Sequence, residues 1–176
     1  MQSNSVPRIK LLTIGDTCVG KSCLVKRYCE EKFYQQYKPT IGVDYGTKLF
    51  KLNDQHNIKV DFWDFSGDAK FKDIREAFYA NTQAVLFSFF FFCQHKLKNI
   101  DDKHLSKWLK ESRDYGVRDD TNIYTVITKK DQIGEHSLEN IKKWSKQNNI
   151  KYFETSAKNN EGVQELFNSI FKDFCE

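Results

Sequence analysis

The sequence predicts a three-layer α/β domain, a mostly parallel sheet between two layers of helices, on three observations. Short apolar runs alternate with amphipathic helical patterns along the chain. Two of those runs, Val85–Phe92 and Ile123–Ile127, are almost uniformly apolar, as strands covered on both faces must be. No internal repeat or low-complexity linker interrupts the alternation, and there are only two prolines, Pro7 and Pro39. Residues 8–176 are therefore expected to form one domain behind a flexible segment 1–7.

In chain order, Ile9–Ile14 is the first strand, and a helix begins near Gly20. Strands are expected at Tyr45–Leu52 and Ile58–Asp64; Ile58, Val60 and Phe62 alternate with polar neighbours, the pattern of a half-covered or edge strand. After Val85–Phe92, Leu105, Trp108 and Leu109 mark a helix. Beyond Ile123–Ile127, Ser137 reads as the N-cap of a helix carrying Leu138, Ile141 and Trp144. Lys151–Glu154 is the last strand. Val163, Leu166, Phe167, Ile170, Phe171 and Phe174 then recur at helical spacing and form one apolar stripe. Right-handed crossovers in such a sheet place ligands at the carboxyl ends of the strands, so the chemistry belongs in the loops that follow them.

Composition narrows the function classes. The 176 residues carry 28 Lys plus Arg against 24 Asp plus Glu, a net +4 with the charges interspersed, which gives no footprint for nucleic acid. The 15 Phe supply core volume and exclude wholesale disorder. The longest apolar stretch, Ala84–Cys93 broken only by Ser88, is about half of the roughly 20 residues that cross a bilayer. Met1-Gln2-Ser3-Asn4-Ser5 lacks the apolar core of a signal peptide, and Gln2 excludes N-myristoylation. A cytoplasmic protein is expected, peripheral to membranes only through partners or a further tail. Cys18, Cys23, Cys29, Cys93 and Cys175 form no C-x-x-C pair and read as reduced thiols.

The most specific motif is Gly15-Asp16-Thr17-Cys18-Val19-Gly20-Lys21-Ser22, which fits G-x-x-x-x-G-K-[ST] and lies between a strand and a helix. Its glycines let the loop wrap so that backbone N–H groups face a phosphate, and the helix adds its positive N-terminal end. Lys21 would reach the terminal phosphates and Ser22 would ligate magnesium. The loop by itself selects neither ATP nor GTP.

Further stations occur at strand ends: Thr40 in Tyr37-Lys38-Pro39-Thr40-Ile41-Gly42, Asp64 and Gly67 in D-x-x-G, Thr128-Lys129-Lys130-Asp131, and Glu154-Thr155-Ser156-Ala157-Lys158. In order and spacing they resemble the Ras superfamily of small GTPases over almost the whole chain. Ile41-Gly42-Val43-Asp44-Tyr45, Trp63-Asp64 and Phe78-Tyr79 look most like the Rab branch, and the departures below are similar to Rab-like GTPases that carry a J domain.

This resemblance implies the small-GTPase fold: about six strands, one of them antiparallel, with about five helices. It implies a monomer that binds GTP or GDP with Mg²⁺ and acts as a switch in membrane trafficking or signalling. Asp16 to Cys23 would cradle the phosphates, and Ser22, Thr40 and Asp64 would hold the metal, Asp64 through a water. Lys21, Thr40, Gly67 and Asp68 would act on the γ-phosphate. Thr128, Lys129, Asp131, Ser156, Ala157 and Lys158 would form the base site, with Asp131 accepting from guanine, Lys129 over one face and Phe33 edge-on to the other. Segments 34–44 and 65–80 would order with the γ-phosphate and meet effectors and regulators. Tyr45, Trp63 and Phe78 look like the Rab aromatic triad, though aromatics of this kind also serve as plain core.

Two positions break the family pattern. Asp68 stands where Gln usually orients the attacking water, which implies slow hydrolysis unless a protonated Asp68 or a partner's residue takes over that task. Thr128 stands where Asn usually reaches the base N7 and braces the phosphate loop, which implies weaker nucleotide affinity or faster exchange. Thr17 carries no special meaning. Cys18 is either a small filler or a thiol whose modification blocks the cleft. The last residues, Lys172-Asp173-Phe174-Cys175-Glu176, carry no lipidation motif, so this stretch is either unanchored or a trimmed domain. Two other classes remain: a non-catalytic module holding a nucleotide as structural ligand, and a metabolite kinase, for which no Arg-rich lid is found.

Overall fold

The structure, a computed structural model, describes residues 6–51, 57–90, 102–133 and 138–174, the first four of the third stretch as backbone only. Six strands form one sheet: β1 (Arg8–Ile14), β2 (Val43–Lys51), β3 (Asn57–Phe65), β4 (Ala84–Phe89), β5 (Asn122–Ile127) and β6 (Lys151–Glu154). Their order is β2-β3-β1-β4-β5-β6, with β2 antiparallel to β3 and all other pairs parallel. Among the described residues five α-helices accompany them: α1 (Lys21–Glu30), α2 (Lys72–Glu76), α3 (Asp102–Asp114), α4 (Glu139–Gln147) and α5 (Val163–Lys172).

Every residue of β4 is buried, because it lies mid-sheet between two apolar layers. One layer joins Leu11, Leu86 and Val126 to α1 and the α5 stripe, where Tyr28 stacks on Phe167 with ring centroids 3.9 Å apart. Phe167 and Phe171 are fully buried, each worth about 1.5–3 kcal/mol of apolar transfer. The other layer packs Leu12, Val85 and Phe87 against Tyr79, Trp108 and Trp144. Among the described residues no helix is long and apolar enough to cross a membrane.

The expected elements appear with boundaries shifted by a residue or two, apart from β4, which ends at Phe89. The expected strand ends at Leu52 and Phe92, the cap at Ser137, the Leu105 side chain, Cys93, Cys175 and residues 1–5 lie outside the described residues. The carbonyl of Pro7 already accepts the Lys59 N–H at 2.8 Å. Of the two alternatives for β3, the edge strand is corrected: β3 is interior, and β2 and β6 are the edges. The polar residue that gave β3 its edge-like alternation, Asp61, is buried and paired, accepting from Arg8 Nη2 at 2.7 Å and from the Tyr45 hydroxyl at 2.8 Å.

Candidate functional site

The parallel strands end beside a cleft of about 800 Å³ whose wall includes Lys21, Thr40, Gly67, Lys129 and Asp131. Gly15 follows β1 with φ 142°, and an added Cβ would lie 2.1 Å from the Ser88 carbonyl oxygen, so only glycine allows the chain to turn there. Gly20, also left-handed, caps α1 without a side-chain acceptor, which leaves the first amides of the helix at the cleft. Lys21 is buried, and its Nζ donates to the carbonyls of Gly15 (3.0 Å) and Asp16 (2.7 Å). Burial lowers its pKa, opposed by the charges of Asp64 and Asp16.

Beside the lysine, three oxygens from separate elements converge. Ser22 Oγ lies 2.9 Å from Thr40 Oγ1 and donates to Asp64 Oδ2, while Thr40 Oγ1 is 3.4 Å from the same carboxylate oxygen. Thr13 donates to Asp64 Oδ1 at 2.7 Å and so fixes which oxygen faces the cluster. Burial raises the Asp64 pKa, opposed by hydrogen bonds from Ser22 and Thr13 and by the charge of Lys21. Two hydroxyls and a carboxylate, all hard oxygens, match the chemistry Mg²⁺ selects.

Gly67 lines the cleft across from these groups and lies against the phosphate loop. Asp68 is in the wall but both of its oxygens are engaged: Oδ1 accepts the Lys70 N–H at 3.1 Å and Oδ2 meets Lys70 Nζ at 3.0 Å. The Lys70 amide, then its ammonium, hold the carboxyl below the usual range. Both contacts favour the carboxylate over the protonated form of Asp68.

At the far end of the cleft, Ser156 is buried and donates to Asp131 Oδ1 at 2.6 Å, orienting the acid. Lys129 reaches across the cleft floor, its Nζ donating to the Cys18 carbonyl at 2.7 Å and lying 4.1 Å from the Phe90 ring centroid. Phe33, Ala157 and Lys158 line the same cleft. Thr128 is buried beneath it, and its Oγ1 contacts the Val19 carbonyl and lies 3.0 Å from that of Phe89. The brace on the phosphate loop is thus kept, but a hydroxyl has one proton and a neighbouring carbonyl takes it. Thr17 and Cys18 are exposed and line the cleft. Cys23 is half-buried, and burial pushes its thiol up.

Sequence reasoning missed Thr13 and Arg27. Arg27, on α1, donates from Nε to the Ala157 carbonyl (2.6 Å), from Nη1 to Glu31 O (2.6 Å) and from Nη2 to Lys158 O (3.4 Å). No motif flags it, since its acceptors are all backbone carbonyls and the two at the cleft, those of Ala157 and Lys158, lie more than a hundred positions away. The aromatics Tyr45, Trp63 and Phe78 form a contiguous row with 5.0 Å between successive centroids; Tyr45 is 49% exposed, while Trp63 and Phe78 are partly buried and pack against the core.

Sheet order, loop and cleft are those of a small GTPase. The chain belongs to the Ras family, whose family model matches residues 10–176. DnaJ homolog subfamily C member 27-A of Xenopus laevis is 32% identical over 179 residues, covering 99% of this chain and 65% of the relative. DnaJ homolog subfamily C member 27 of Bos taurus is 33% identical over 178 residues (96% and 63%), and that of Danio rerio 32% over 178 residues (96% and 63%). These relatives agree with the resemblance to Rab-like GTPases that carry a J domain. The chain spans a little under two thirds of their length.

Proposed function

We propose that the chain is a guanine-nucleotide switch that holds GTP or GDP with Mg²⁺, hydrolyses GTP slowly and offers segments 34–44 and 65–80 to effector and regulatory proteins. The observation that carries this reading is one cleft joining Lys21, the Ser22–Thr40–Asp64 oxygens and Gly67 to Asp131 as oriented by Ser156. Lys21 and the loop amides offset phosphate charge. Ser22 and Thr40 would hold Mg²⁺ directly and Asp64 through a water; the bound ion supplies Lewis acidity at the phosphates. Asp131 accepts from the ring N–H and exocyclic amine of guanine, a donor pair adenine lacks, while Lys129 and Phe33 flank the ring and the Ala157 N–H donates to its oxygen. The likeness to Rab proteins supports a monomer working at the cytoplasmic side of membrane traffic or in signalling.

The direct test is to denature the purified protein and separate what it releases. A guanosine phosphate is expected; an adenosine phosphate, or no binding of either with Mg²⁺ added, overturns the reading.

Hydrolysis requires an oriented water, and Asp68, an anion tied to Lys70, offers it no donor. Asp68→Gln is expected to raise single-turnover GTP hydrolysis about tenfold or more, the scale of a positioning effect. No gain would show that another step limits the reaction. The engagement of Asp68 also favours a second reading, a nucleotide-binding scaffold without catalysis; turnover of the unmodified chain no faster than GTP in buffer would select it.

Thr128→Asn replaces one O–H with two N–H donors, one for the Val19 carbonyl and one for the base. GDP release is expected to slow about fivefold, the size of one net hydrogen bond. An unchanged dissociation rate of a fluorescent GDP would remove Thr128 as the cause of weak binding.

A further inference from the structure

The charged group most deeply buried near the cleft belongs to none of the residues placed in it. Arg75, on α2, is 2% exposed. Its Nε and Nη2 donate to Glu111 Oε1 and Oε2 of α3 at 2.9 and 3.2 Å, and Tyr79 donates to Oε1 at 2.8 Å. The guanidinium carbon lies 5.1 Å from the centroid of Trp108, whose indole N–H donates to Asp16 Oδ1 in the phosphate loop at 3.2 Å. Arg75 Nη1 donates to the carbonyls of Ser66 (3.1 Å) and Asp68 (2.8 Å), the two that flank Gly67.

We infer that Arg75 is a positioning residue that aims the Gly67 N–H into the cleft and thereby sets the preference for a nucleoside triphosphate over a diphosphate. The inference rests on the guanine-nucleotide reading above. A peptide unit is planar, and the described residues contain no cis bond, so the Ser66 carbonyl and the Gly67 N–H point in opposite directions. Arg75 holds that carbonyl toward α3; the amide on the other side of the same plane is directed to the cleft that Gly67 lines and Arg75 does not. The Asp68 carbonyl fixes the far side of the glycine, and Trp108 ties the clamp to the loop that carries the remaining phosphate donors. A preorganised amide of this kind acts only on a group that reaches it; on the nucleotide reading above, the third phosphate would reach it and the second would not.

The test measures the affinities of the protein for GDP and for a non-hydrolysable GTP analogue with Mg²⁺, by competition with a fluorescent guanine nucleotide, in wild type and Arg75→Ala. The analogue is expected to lose about tenfold or more, the weight of one hydrogen bond to a charged group, while GDP changes less than about twofold. Because Arg75→Ala strands a buried Glu111, the double variant Arg75→Met, Glu111→Gln is measured beside it; it removes the clamp without leaving a lone charge and is expected to show the same split. Equal losses for both nucleotides would mean a structural role and overturn the inference, as would an unchanged ratio. A wild-type chain that binds neither nucleotide overturns the reading of the site, and this inference with it.

Discussion

Gly67→Ala is expected to cost the protein about a hundredfold or more in affinity for a GTP analogue while GDP binding changes little. The cause is steric. A Cβ at this position would lie 2.3 Å from the Asp16 carbonyl carbon, 2.4 Å from the Thr17 nitrogen and 2.5 Å from the Gly15 oxygen. All three are backbone atoms, so no rotamer change relieves the contact, and the segment after β3 must retreat by roughly 1 Å, the displacement that typically costs a positioned group two orders of magnitude. The variant keeps the cleft floor, including Lys21 and Ser22, so the diphosphate retains its contacts. Competition binding of both nucleotides checks this, and equal affinities for the analogue in wild type and variant would refute it.

Asp131→Ala is expected to reduce the preference for GDP over ADP by about a hundredfold or more, because two hydrogen bonds to a charged acceptor are lost together. Ser156 donates to one carboxylate oxygen and is itself buried, so the acid is aimed before any base arrives and little of its interaction is spent on ordering it. The variant should still bind through the phosphates, with similar affinity for either purine. Titration with both diphosphates measures the ratio; an unaltered preference would show that base selection lies elsewhere in the cleft.

How far these features could be read in advance depended on how local their cause is. The phosphate loop was legible because a strand, a glycine turn and a helix start occupy consecutive residues. The order of stations then fixed the remainder of the cleft through its likeness to one family. Asp61 misled, since a buried carboxylate paired across strands with Arg8 has the same spelling as a solvated one. Arg75 was invisible for a related reason. Its partner Glu111 is 36 residues away, and two of its other acceptors are main-chain carbonyls, which any sequence supplies. Thr128 was half legible: its difference from asparagine was plain, but its hold on the Val19 carbonyl follows only from the close approach of β5 to the loop after β1.

Helix α1 gives the cleft a mechanical unity. Lys21 and Ser22 sit on its first turn, and Arg27, about 9 Å further along the axis, grips the Ala157 loop. A single rigid rod therefore spans from the anion pocket to the purine pocket, and neither can drift without pulling on its opposite. On the proposed reading, loosening at the purine rim would reach Ser22 as a tilt of that rod, so the two ends of the cleft would open together.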